Sequence, residues 1–132
     1  MDNPGSYGLA ALGITAALSA QPQTAIVDLD GITAVTLEFY FQYGSGGTTC
    51  IAVVQTSFDG TTWRDIARAD FATASLTKHC NLEGLLSKGI TGYAALAAEG
   101  VYDGVLGNQL RCVVTSTGTY VNSTLAVHAS VR

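Results

Sequence analysis

The sequence predicts an all-β protein, an antiparallel β-sandwich of jelly-roll-like form with an extended N-terminal arm, and three observations point there. Apolar and polar residues alternate in short runs, most clearly at 33–43, 109–116 and 124–131. A period of two sets one face of each run against a core. The runs are separated by segments rich in Gly, Asn, Asp and Ser, which is the spacing of strands and turns in small sandwiches and barrels. Finally, 132 residues is the length of one domain built around one core.

Residues 1–24 read as an arm or edge strand, and residues 25–132 as the sandwich domain. Leu9, Leu12, Ala16 and Ala17 would share a helical face, but Gly5, Gly8 and Gly13 spoil it, each disfavouring helix by about 1 kcal/mol. Ile14, Ala16 and Leu18 fit a strand face equally well. The segment does not resemble a secretory signal, because Asp2 and Pro4 stand at its start and the first basic residue is Arg64, whereas a secretory n-region carries Lys or Arg. It is therefore expected to belong to the mature protein. An apolar arm with so little charge is explained by packing on a neighbouring subunit, with Tyr7, Leu9 and Leu12 as anchors. The competing reading is a first strand packed on its own core.

In TAVTLEFYFQY (33–43), Val35, Leu37, Phe39, Phe41 and Tyr43 share one face. The GSGG that follows (44–47) ends the strand, since its glycines supply the positive φ of a turn. TTCIAVVQTS (48–57) is expected to pair back, and TTWRDIARA (61–69) to pair in turn across Asp59-Gly60, giving a three-stranded meander. DFATASLTKHC (70–80) reads as a fourth arm with no strongly apolar face. Residues 81–108 hold six glycines and no sustained period, leaving a short helix at 93–99 or a strand both open. QLRCVVTS (109–116) and TLAVHASV (124–131) close the chain as strands around the turn-rich TGTYVNS.

Composition narrows the function classes. Charged residues make up 12% of the chain, about half the roughly 25% usual in soluble domains. A net charge of −4 offers no basic stripe to neutralise phosphates, so no nucleic-acid partner is expected. No apolar run reaches the ~18 residues that span a bilayer, so no membrane partner is expected. Cys50, Cys80 and Cys112 are an odd number at wide spacing, fitting neither a disulfide framework nor a CxxC metal site, and they read as free thiols. Asp28 and Asp30, and Asp65 and Asp70, lack the spacing of a calcium loop. The Asn122-Ser123-Thr124 sequon reads as chance.

Catalytic candidates are few. His79 and His128 fall on separate strands, and although His79 adjoins Cys80, neighbours in a strand point to opposite faces. No nucleophile elbow, zinc helix or phosphate loop occurs. The chain is expected to be no enzyme and to need no cofactor or metal.

Ser57, Asp59, Gly60, Thr62 and Trp63 resemble the Asp-box hairpin, S-x-D-x-G-x-T-W, one residue short. The resemblance implies a folding device in which Asp and Ser tie the turn and Trp covers it. A single copy cannot build the propellers in which the box recurs. A wider resemblance joins YGSGGTT (43–49), VVQTSFDGTTWRDIA (53–67), LRCVVTSTGTY (110–120) and the closing NSTLAVHASVR. Together these are similar to a family of small structural proteins encoded among the head and tail genes of tailed bacteriophages and prophages. The resemblance implies a virion protein, made in the host cytoplasm, that decorates the capsid as a homo-oligomer, a trimer favoured, with the major capsid protein as partner. A head-to-tail connector or tail-associated protein is the near alternative. A carbohydrate-binding module is the distant one, with Trp63, Tyr93, Tyr102 and Tyr120 as stacking aromatics.

Overall fold

The computed structural model describes residues 5–29 and 31–132. The first four residues of the expected arm, Asp2 and Pro4 among them, and Asp30 of the acidic pair lie outside the described residues. Eleven strands run through the described residues: β1 (Gly5–Ile14), β2 (Gln21–Pro22), β3 (Ala34–Gln42), β4 (Ser45–Gly46), β5 (Thr49–Ser57), β6 (Trp63–Phe71), β7 (Leu76–Glu83), β8 (Gly100–Val101), β9 (Gln109–Thr117), β10 (Tyr120–Val121) and β11 (Ser123–Val131). They form an all-β sandwich of two antiparallel sheets, β1-β11-β3-β7 and β2-β9-β5-β6-β8, while β4 and β10 pair as a small ribbon.

The pairing follows one rule. With β4, β8 and β10 set aside, the first strand pairs with the last (β1 with β11) and the second with the second-last (β2 with β9). The third pairs with the third-last (β3 with β7), and the middle two form a hairpin (β5 with β6). The inward residues of both sheets meet in one core, with Leu37, Phe39 and Phe41 from β3 facing Ala52 and Val54 from β5 and Cys112 and Val114 from β9. Phe41 stacks on Phe71 at 5.3 Å and meets Tyr120 edge-on at 5.5 Å. This arrangement suits aromatic quadrupoles.

Three expectations are corrected. Of the two readings of the N-terminal segment, Gly5–Ile14 follows the edge strand and not the free arm: it is β1, at the edge of its sheet and paired along its length with β11, so what is corrected is the role given to Leu9. A bulge between Gly8 and Ala10 turns Leu9 and Ala10 both inward. Leu9 is therefore 2% exposed within the chain's own core, and it is not an inter-subunit anchor. Tyr7 and Leu12 pack half-buried against that core.

The three-stranded meander is also replaced. β3 and β5 belong to different sheets, because Gly46 and Gly47, at φ 70° and 69°, carry the chain across the sandwich. A Cβ on Gly47 would run into the Tyr120 ring. The arm at 70–80 is divided as well: β6 ends at Phe71, and β7 starts at Leu76 and runs to Glu83, pairing with β3. Between β7 and β8 the chain forms neither helix nor strand; residues 85–99 are an irregular strap.

Candidate functional site

The hairpin joining β5 to β6 builds one wall of the site. Ser57 Oγ donates to Asp59 Oδ1 at 3.2 Å and accepts from the Gly60 N–H at 2.8 Å. Asp59 Oδ1 also accepts the N–H groups of Thr61 (2.8 Å) and Thr62 (2.7 Å). The Thr62 and Thr61 amides favour the ionised carboxylate and hold the Asp59 carboxyl down at about 2. Gly60 turns at φ 80°. Pinning the turn in this way leaves Phe58 at its tip 64% exposed.

Trp63, opposite Ser57 in the ladder, lies beneath the Arg111 guanidinium, which is 4.4 Å from its ring centroid. From Arg111 a polar row crosses three adjacent strands. Arg111 Nε donates to Gln55 Oε1 at 2.8 Å, and Gln55 Nε2 donates to Asp65 Oδ1 at 2.8 Å. Asp65, 8% exposed, then accepts the Leu96 N–H from the strap at 3.0 Å through Oδ2. The Asp65 N–H donates to Tyr93 Oη at 2.9 Å. Further along, Arg68 Nη1 donates to the Leu96 carbonyl at 3.0 Å. Glu99 takes the Asp70 N–H at 3.2 Å and Lys78 Nζ at 2.5 Å. The strap thus has no regular structure of its own, yet side chains of β6 and β7 bind it at several points.

Where strap and hairpin diverge, a cleft of about 370 Å³ opens, walled by Phe58, Tyr93, Tyr102 and Val105 and edged by Arg64, Lys88 and Thr91. The Arg64 guanidinium lies 4.8 Å from the Tyr93 ring centroid. Burial pushes the Tyr93 phenol up, so it is a neutral hydrogen-bonding group at physiological pH. Aromatic walls with two cations at the rim form a surface that takes planar or ring-shaped apolar groups bearing acceptors.

Of the four aromatics expected for sugar stacking, Tyr93 and Tyr102 share this cleft. Tyr120 is 1% exposed in the core, and its hydroxyl donates to the Ala72 carbonyl at 2.7 Å; it is removed from that role. Trp63 is covered by Arg111. Sequence reasoning missed Phe58, Arg64 and Lys88, whose one signal was an aromatic residue at the tip of a tied turn.

The remaining candidates lie apart. His79, Glu38 and His128 stand in one cross-strand row on the outer face of the four-stranded sheet, where His79 Nε2 and Glu38 Oε2 are 2.9 Å apart. Cys80 pairs with Leu37 on the opposite face, so it does not meet His79. Asp70 is paired with Arg68 at 2.8 Å. Among the described residues no group of three His, Cys, Asp or Glu side chains is placed to hold a metal ion. All three cysteines are free thiols. Burial raises Cys50 and Cys80 to about 11 and Cys112 to about 12, which leaves them protonated and poor nucleophiles.

Fold and site together define an antiparallel β-sandwich with a strapped, aromatic-walled cleft. The chain matches no known family model, no curated protein and no solved structure.

Proposed function

We propose that this chain is a structural protein of a tailed-phage particle, a homo-oligomeric subunit that decorates the capsid shell. The resemblance of residues 43–49, 53–67 and 110–120 to small phage structural proteins supports the reading. The strand order supports it too: first-with-last pairing, repeated inward to a central hairpin, is what a jelly-roll reading requires, and jelly rolls are used by capsid domains and also by lectins.

The observation that carries the proposal is the strap. It holds Leu85 78% exposed, Leu86 about half exposed and Ile90 fully exposed. It is tied down at Leu96, whose N–H and carbonyl bond Asp65 and Arg68, and at Glu99, whose carboxylate accepts the Asp70 N–H. Apolar side chains held out on a tethered segment mark an interaction surface.

The test is co-sedimentation with shells assembled from the cognate major capsid protein. Saturable binding at a fixed ratio per shell, lost in Leu85→Asp/Ile90→Asp with the fold intact, is the expected result. Failure to bind shells removes decoration and leaves the connector or tail reading. Deletion of residues 1–24 is unsuitable as a control, since it takes Leu9 and Ile14 out of the core.

A second reading, a carbohydrate-binding module, is favoured by one observation, the placing of Tyr93, Tyr102 and Arg64 on one cleft. Saturable glycan binding abolished by Tyr93→Ala would promote it, and an empty glycan array would remove it.

A further inference from the structure

A sheet edge carries unpaired backbone N–H and C=O groups, and proteins normally defend such edges with charge, proline or brevity. Three edges of this sandwich are defended in that way. β7 carries Lys78, His79 and Glu83; β2 has two residues, one of them Pro22; β8 has two residues. The fourth edge is β1, with ten residues and neither a charge nor a proline. On its far side from β11, no described strand pairs with it.

We propose that the β1 edge pairs with the β1 edge of a second copy of this chain, antiparallel about a two-fold axis, so that the two four-stranded sheets become one sheet of eight strands. Two arguments select a second copy as the occupant. The first is electrostatic: from Asn3 to Val27 there is no Asp, Glu, Lys or Arg. Two copies of a chain of net charge −4 therefore meet here without like charges opposed, and the edge offers a charged partner nothing to pair with.

The second argument is continuity of pattern. Beyond the bulge, Ala10 to Ile14 form an uninterrupted ladder. A two-fold through Leu12 sets Leu12 against its counterpart on the core side, covering a side chain that one chain leaves half-buried. The same axis sets Ala11 against Gly13 on the outer side, where no bulky group stands in the way. Gly13, which lies inside that ladder and away from the bulge, is not required by the chain's own packing: a Cβ there would meet only the Ser123 carbonyl at 3.9 Å. A glycine in a strand interior is costly, and away from a bulge or bend it suits the close approach of another backbone.

The axis through Leu12 pairs Ala10–Ile14 alone, five residues a side, well short of the roughly 20–30 of a standard interface, so the pairing is concentration-dependent in solution. The inference deepens the homo-oligomeric part of the function proposed above and rests on it. Its test uses no shells, so a protein that dimerises through β1 but ignores shells separates the two.

Sedimentation of the full chain from low micromolar to submillimolar concentration is expected to show the mass rising from 13.6 kDa to twice that. Gly13→Lys, which has room for its side chain in the single chain, is expected to stay at the single-chain mass. Ala11→Lys, on the same exposed face, serves if Gly13→Lys fails to fold. On the wild type, amide exchange within Ala10–Ile14 is expected to slow as concentration rises, independently of any variant. A single-chain mass at every concentration, a trimer, or a dimer that persists in the folded lysine variants would each overturn the proposal, because edge pairing about a two-fold cannot close a ring of three.

Discussion

Asp65→Ala tests whether the strap is held by the polar row or merely rests on it. The carboxylate accepts from Gln55 Nε2 at 2.8 Å and from the Leu96 N–H at 3.0 Å, almost shielded from water. A hydrogen bond to a charged group contributes about 1.5–3 kcal/mol, which sets the upper range for two at about 3–6. The strap is irregular and lies at the surface, so the Leu96 N–H can turn to water once released, and Gln55 keeps Arg111. The expected loss is therefore nearer 2–4 kcal/mol. It falls on strap docking before it falls on the sandwich, because β5 and β6 stay joined by their backbone ladder. At 1.4 kcal/mol per decade, amide exchange at Leu96 should accelerate roughly 30- to 700-fold, with β5 and β6 much less affected. Asp65→Asn keeps one acceptor but sets its amide against that of Gln55, and should fall between. Hydrogen exchange followed by mass spectrometry on peptides covering 85–99 reads this directly. Unchanged exchange there in Asp65→Ala would refute the tether, and with it the account of how the apolar strap is presented.

The other predictions concern single groups. Trp63→Ala should lower unfolding free energy by about 2–3 kcal/mol, less than a fully buried Trp because one face meets Arg111 rather than core; urea denaturation checks it. Tyr120→Phe should cost about 1–2 kcal/mol by stranding the Ala72 carbonyl while leaving the Phe41 contact in place, and a variant as stable as wild type would contradict that bond. Asp59 has its folded carboxyl at about 2 against an ordinary 3.8. Its stabilisation is thus full above the ordinary value and disappears as pH falls toward 2, so the melting temperatures of wild type and Asp59→Asn should converge on acidification. A gap independent of pH would mean that the carboxylate does not hold the turn. Cys50 and Cys112, raised to about 11 and 12, should resist a thiol reagent at neutral pH until denaturant is added, and rapid labelling of either would show the core to be open.

Alternation read in the sequence is physically a statement about faces, and the parts of the fold that depend on faces were legible there. The inward set Val35, Leu37, Phe39 and Phe41 of β3 matches its buried positions, and the alternating residues of β9 and β11 do likewise. Pairing partners are a different matter, since a period of two is silent about which strand lies alongside. Hence β3 and β5, consecutive across GSGG, were expected as neighbours, although they stand in opposite sheets. The inward turn of Leu9 was hidden for a related reason: a bulge adds one residue and leaves no compositional mark. The cleft was half legible. Tyr93 and Tyr102 were visible as aromatics, but Phe58, Arg64 and Lys88 reach it from three separate segments, and the Arg111–Gln55–Asp65 row exists only through cross-strand register.

The two surfaces that matter most to the proposals do not compete for space. β1 packs across the sandwich on β9, near the β2 end of its sheet, whereas β7 faces β6 and β8 at the other end. The strap leaves from β7 and returns at β8, so it belongs to the side away from β1. A dimer joined through β1 would therefore carry two straps and two clefts, both uncovered, at its outer flanks. Two linked contacts raise retention on a repetitive surface far beyond that of one, provided both are reached at once. Gly13→Lys should accordingly leave each strap as it is and still weaken binding to a shell, whereas Ile90→Asp should weaken the binding of single chains and dimers alike. Finding the two variants equivalent would show that pairing and shell contact share one surface, contrary to the placement of β1 and the strap at opposite edges.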